Sequence, residues 1–106
     1  MPKYLYQGSY TQEGLKGLLA EGGSKRREAT EKLVKSAGGS LEGYYFAFGD
    51  NDFYVIVDMP DNETASATSL AANATGAVKV KTIALLTPEE VDQAVKQTVE
   101  YRPPGG

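Results

Sequence analysis

Cysteine and histidine are both absent from this chain of 106 residues. Without cysteine there can be no disulfide, thiolate metal site or thiol nucleophile. Without histidine the usual base near neutral pH, the usual zinc ligand and the usual haem ligand are missing. Acid–base chemistry is left to Asp, Glu, Lys and Tyr, and neither a cofactor nor a bound metal is expected. A basic excess is also lacking: 11 Lys and Arg stand against 14 Asp and Glu, which argues against a nucleic-acid partner. The one basic cluster, Lys25-Arg26-Arg27, lies beside Glu28 and Glu31 in a helical pattern and reads as a solvated helix face. No stretch approaches the roughly 20 apolar residues of a membrane span, and MPKYLYQ holds no apolar core of signal-peptide length. A cytoplasmic location with no membrane partner is therefore expected.

The richest segment is LEGYYFAFGDNDFYVIVDMPD, Leu41 to Asp61. Two runs of aromatic and β-branched residues flank Gly49-Asp50-Asn51-Asp52, whose residue types tolerate tight-turn geometry, so the segment reads as a β-hairpin. Its strands are expected over about Ser40–Phe48 and Asp52–Met59, with Gly49 and Asp52 as turn residues and Asp52 bonding the turn amides. Upstream, Tyr4 to Tyr10 forms a first strand, and Thr11 can cap the helix that follows. Leu15, Leu18 and Leu19 share a helical face; Gly22-Gly23 breaks the pattern; Ser24 offers a new cap. Ala29, Leu33 and Ala37 then recur until Gly38-Gly39 stops the helix.

Asp61 opens a small-residue helix that ends at Gly76, and Ala77 to Leu85 is a fourth strand. Thr87-Pro88-Glu89-Glu90 carries a capping box ahead of a helix with Val91, Val95 and Thr98 on one side. The order β-α-β-β-α-β-α gives an α+β, ferredoxin-like sandwich: a four-stranded antiparallel sheet with helices on one face. One domain spans residues 1–99, and residues 100–106 form a loose tail.

The sheet carries too much apolar surface for one wet face. In the third strand Phe53, Val55 and Val57 point one way; Tyr54 and Ile56 point the other with Asp52 and Asp58. The second strand is aromatic or apolar on both sides, with Tyr44, Phe46 and Phe48 opposite Leu41, Tyr45 and Ala47. Helices cover one side only, so a second copy of the chain is the expected cover for the other. Val78 and Val80 should meet the helices. Lys79, Lys81, Ile83 and Leu85 then take the open side with Gln7 and Ser9. The candidate ligand-binding residues are therefore Gln7, Ser9, Tyr54, Asp58 and Lys81, polar groups set among aliphatic ones as in a small-molecule pocket. Their chemistry suits a small anionic or phenolic ligand. For an enzyme, Asp52, Asp58, Lys81 and Tyr54 are the acid–base groups on offer, and no catalytic residue is assigned.

Tyr4, Thr11, Gly14, Gly38-Gly39, Gly49 with Asp52, Phe53 to Val57, Pro60-Asp61 and Gly76 to Thr82 occur in an order and spacing that resembles the GYD-domain family. Asn51 departs from the pattern, standing where the signature tyrosine precedes Asp52. The resemblance implies the dimeric α/β-barrel class, in which two ferredoxin-like sheets pack face to face, and brings no activity with it. Related barrels include cofactor-independent monooxygenases and isomerases. A homodimer binding a small metabolite between or beneath its sheets is the expected function, with such an enzyme as the alternative.

Overall fold

The computed structural model describes residues Met1–Gly106. Strand β1 (Lys3–Tyr10) is followed by helices α1 (Gln12–Glu21) and α2 (Gly23–Ser36), strands β2 (Ser40–Phe46) and β3 (Phe53–Asp58), helix α3 (Asn62–Ala74), strand β4 (Val78–Leu85) and helix α4 (Pro88–Val95). The strands form one sheet in the order β2-β3-β1-β4, and every pairing is antiparallel. This is the ferredoxin-like arrangement, an α+β sandwich with α2 and α3 on one face of the sheet.

Local chemistry sets most boundaries. Thr11 accepts a hydrogen bond from the Gly14 amide and caps α1, while Asp61 caps α3 through the Thr64 amide. Thr87 and Glu90 complete the capping box of α4, with Pro88 in its first turn. Gly22, at φ +84°, joins α1 to α2 and serves as the N-cap of α2 without a side-chain bond, so the expected cap at Ser24 is not used. Gly38 is also at φ +84°; its amide and that of Gly39 bond back to Lys35 and Val34, closing α2 with a Schellman turn.

The core lies between the sheet and α2 and α3. Tyr4, Tyr6, Phe53, Val55, Val57 and Met59 are buried there against Val34 of α2 and Ala65 of α3. Small residues on α3 let it sit close to the strands. The Tyr6 hydroxyl donates to the Ala65 carbonyl at 2.7 Å, and the Tyr4 hydroxyl donates to the Asn62 side chain. Asn73 also closes onto β4: its side-chain amide donates to the Val80 carbonyl and its oxygen accepts the Val80 amide.

Three expectations about faces need correction. Leu41 lies opposite Val57 and Tyr44 opposite Val55, so both face the helices. A bulge at Glu42 adds one residue to β2 and flips the alternation, which strict parity places the other way. On α2 the inward face is Arg26, Thr30, Val34 and Ala37; Val34 is fully buried, whereas Ala29 and Leu33 are exposed. The helix is rotated by one residue, about 100°, from the Ala29-Leu33 stripe. Finally, the leucine face of α1 buries no residue, and α4 stops at Val95, short of Thr98.

Every residue from Pro88 to Gly106 is exposed. The radius of gyration is 16.7 Å, against about 13 Å for a close-packed chain of this length. Helix α4 projects from the body with Val91 and Val95 uncovered, and Val99 beyond its end is exposed too.

Candidate functional site

Directly opposed residues share a face in an antiparallel sheet, so the register maps the uncovered side row by row. Tyr54, Gln7 and Lys81 form one row across β3, β1 and β4; Ile56, Leu5 and Ile83 form the next; Asp58, Lys3 and Leu85 form the last. Ser9 pairs with Lys79 beyond the first row, and Tyr45 of β2 lies beside Tyr54. The open face thus has an apolar centre with polar ends.

At one end a depression of about 350 Å³ is lined by Gln7, Ser9, Lys79, Lys81, Asp50 and Asn51 among others. Neither lysine takes part in an ion pair. The Asn51 amide donates to the Tyr54 hydroxyl at 3.3 Å, tying the hairpin tip to the rim. Four of the expected site residues, Gln7, Ser9, Tyr54 and Lys81, therefore meet in one region. Asp58 does not. It lies four residues along β3 from Tyr54, about 13 Å away. There Lys3 bridges it at 3.0 Å and Glu42 at 2.9 Å. Those two hydrogen bonds, to Glu42 first and Asp58 second, raise the Lys3 pKa above its ordinary value.

Asp52 has a structural position other than the one expected. Its carboxylate accepts the Tyr10 amide on β1 at 2.9 Å rather than bonding the turn amides. Its own amide donates to the Gly8 carbonyl at 2.7 Å, and its carbonyl accepts the Ala47 amide. Asp52 is a clamp between the hairpin tip and the end of β1. Phe53 beside it closes over Gly8, where a Cβ would collide with the Lys79 carbonyl.

Two further concavities lie on the helix side. A cavity of about 70 Å³ between the sheet and the helices is lined by Tyr6, Tyr10, Arg26, Tyr44, Thr68 and Ser69 above an apolar floor. Burial, and next the contact with Tyr44, pushes the Tyr10 phenol well above its ordinary value, with Arg26 pulling weakly the other way. Burial likewise raises Tyr6. An apolar cleft of about 580 Å³ runs between α1 and the hairpin, lined by Leu15, Leu18, Leu19, Phe46 and Phe48, with Asp52 at its edge. No three acidic side chains cluster as a metal site. No helix is long and apolar enough to cross a membrane.

Arg26 is the residue that the sequence hides. The Lys25-Arg26-Arg27 run resembles a solvated face, yet Arg26 is half-buried at the mouth of the inner cavity. The spacing Arg26, Thr30, Val34 carries the signal, because it marks one helical face.

No curated protein and no solved structure matches the chain. A family profile described as GYD domain matches residues 4–95, nearly the whole of the folded body and α4. The hairpin with its Asp52 clamp and the strands on which the resemblance rests all fall within that span, and the chain belongs to the GYD-domain family.

Proposed function

We propose that the protein is a homodimer that packs the open faces of two sheets together and holds a small anionic or phenolic metabolite at the polar end of that face. The observation that carries this reading is the row structure: Leu5, Ile56 and Ile83 uncovered at the centre, with Gln7, Ser9, Lys79 and Lys81 gathered beside them. An apolar centre drives association, and two unpaired ammonium groups favour an anion once water is excluded. Tyr54 supplies a flat wall and a hydroxyl for an aromatic ring.

Area supports a contribution from a further element. Four strands at about 4.8 Å spacing and seven residues at about 3.3 Å give a footprint of roughly 440 Å². A standard interface buries about 800 Å² on each partner. The uncovered Val91 and Val95 of α4, which follows β4 in the chain, are apolar surface that can make up the difference. Asp52 and Asp58 are already engaged by the Tyr10 amide and Lys3, so acid–base chemistry of a cofactor-independent monooxygenase or isomerase would rest on Tyr54 and Lys81. Binding therefore stands ahead of turnover.

A thermal-shift panel of small phenolic carboxylates, 4-hydroxybenzoate among them, tests the ligand half of this reading. A ligand at 100 times its Kd adds about 2.7 kcal/mol to stability. The shift should vanish in Lys81→Ala. A shift that survives in Lys81→Ala, or no shift across the panel, would refute the site.

A further inference from the structure

The polar groups around the inner cavity are not evenly distributed. Of the tyrosines lining or flanking it, Tyr6 donates its hydroxyl to the Ala65 carbonyl and Tyr4 donates to Asn62. Tyr10 and Tyr44 face each other and Arg26, and neither phenol reaches a carbonyl or carboxylate acceptor. The Arg26 pair with Glu21 is long, 3.7 Å, and leaves most of its guanidinium donors unused. Thr68 is engaged with the Thr64 carbonyl, and Ser69 accepts from Asn73. One end of the cavity is thus rich in donors that contact chiefly one another, and poor in acceptors. The rest, formed by Val55, Val78, Val80 and Phe53, is apolar.

We propose that this cavity is a second binding site, separate from the open face of the sheet, for a short branched carboxylate: its anion would lie on Arg26 with Tyr10 and Tyr44, and its alkyl body on the valine floor. The chemistry follows from the donors. Arginine presents a planar fork that matches a carboxylate, and charge-assisted bonds are the strong ones in a partly dry site. The Tyr10 phenol is a neutral donor at physiological pH, since burial holds its proton in place. Size sets the ligand. About 70 Å³ is room for roughly two or three waters at their liquid volume, so the branched alkyl end of isobutyrate fills the cavity and its carboxylate stays at the mouth beside Arg26. Each chain builds the whole site, so binding does not require a dimer.

The test is a titration of the full chain with isobutyrate, followed by methyl NMR of the valines. Saturable shifts at Val55, Val78 and Val80 are expected, with affinity in the millimolar range. Arg26→Gln should weaken binding at least tenfold, and Arg26→Lys should fall between because a point charge replaces the fork. Both variants change a half-exposed side chain, so an unchanged amide spectrum can verify the fold. Ser69→Leu, which fills the cavity, should abolish the shifts. Lys81→Ala should leave them intact, which separates this site from the one on the open face. Isobutyramide, the neutral isostere, should bind at least tenfold more weakly. The proposal is overturned by no saturable shift, by shifts centred on Lys81, by Arg26→Gln binding as well as the parent, or by equal binding of the amide.

Discussion

Replacing Asp52 by alanine removes the clamp between the hairpin tip and β1. The Asp52 carboxylate accepts the Tyr10 amide at 2.9 Å in a part-buried setting, and no other acceptor takes that N–H. A hydrogen bond to a charged group contributes about 1.5–3 kcal/mol, and partial exposure puts this one at the low end. The backbone bonds of residue 52 to Gly8 and Ala47 survive the change. Asp52→Ala should therefore cost about 1–2 kcal/mol, equivalent to roughly 5–12 °C in Tm for a chain of this size. Urea unfolding at pH 7, followed by circular dichroism, reads the loss as a lower midpoint with an unchanged m value. Asp52→Asn keeps an acceptor oxygen and should recover more than half of it. An alanine variant within about 0.3 kcal/mol of the parent, well below the size of such a bond, would refute the clamp. So would an asparagine variant as damaged as alanine.

Alkaline stability follows from three raised groups: Tyr10 and Tyr6 by burial, and Lys3 by its bonds to Glu42 and then Asp58. Each holds its proton more tightly folded than unfolded, so its contribution is complete below about pH 10 and is lost as pH rises beyond. Urea midpoints should fall above that value and fall less steeply in Tyr10→Phe; a rise would contradict the assignment. A chain ending at Leu86 should keep its sheet by circular dichroism, because α4 is fully exposed. It should also dissociate at lower dilution than the parent, and an unchanged dissociation constant would remove α4 from the interface.

The β-hairpin, the split of the first crossover at Gly22 and the helix caps were legible because each depends on chemistry within a few residues. Thr87 with Glu90 and Asp61 with Thr64 are contacts three residues apart. The face of Leu41 was not legible, since one extra residue at Glu42 reverses everything before it in the strand. Helix α2 misled for a related reason. Ala29 and Leu33 offer the more apolar stripe, but the helix is placed by the Gly22 joint and by the Schellman turn at Gly38, which direct Val34 inward. Arg26 then faces a cavity from within a run of charges. In the candidate site the alternation in β1, β3 and β4 brought Gln7, Ser9, Tyr54 and Lys81 to one face and one end. It could not separate Asp58, because alternation fixes the face of a residue and not the side chain that captures it. Lys3, 55 positions away in sequence, makes that capture.

The central claim is that the open face of the sheet is covered by a second copy of the chain, and sedimentation equilibrium tests it most directly. At micromolar concentration the parent should sediment at twice the 11.3 kDa chain mass. Ile56→Glu, which places a charge in the apolar row beside Leu5, should return it to a single chain mass, while the same change at exposed Gln93 should not. A parent that sediments at 11.3 kDa would contradict the claim.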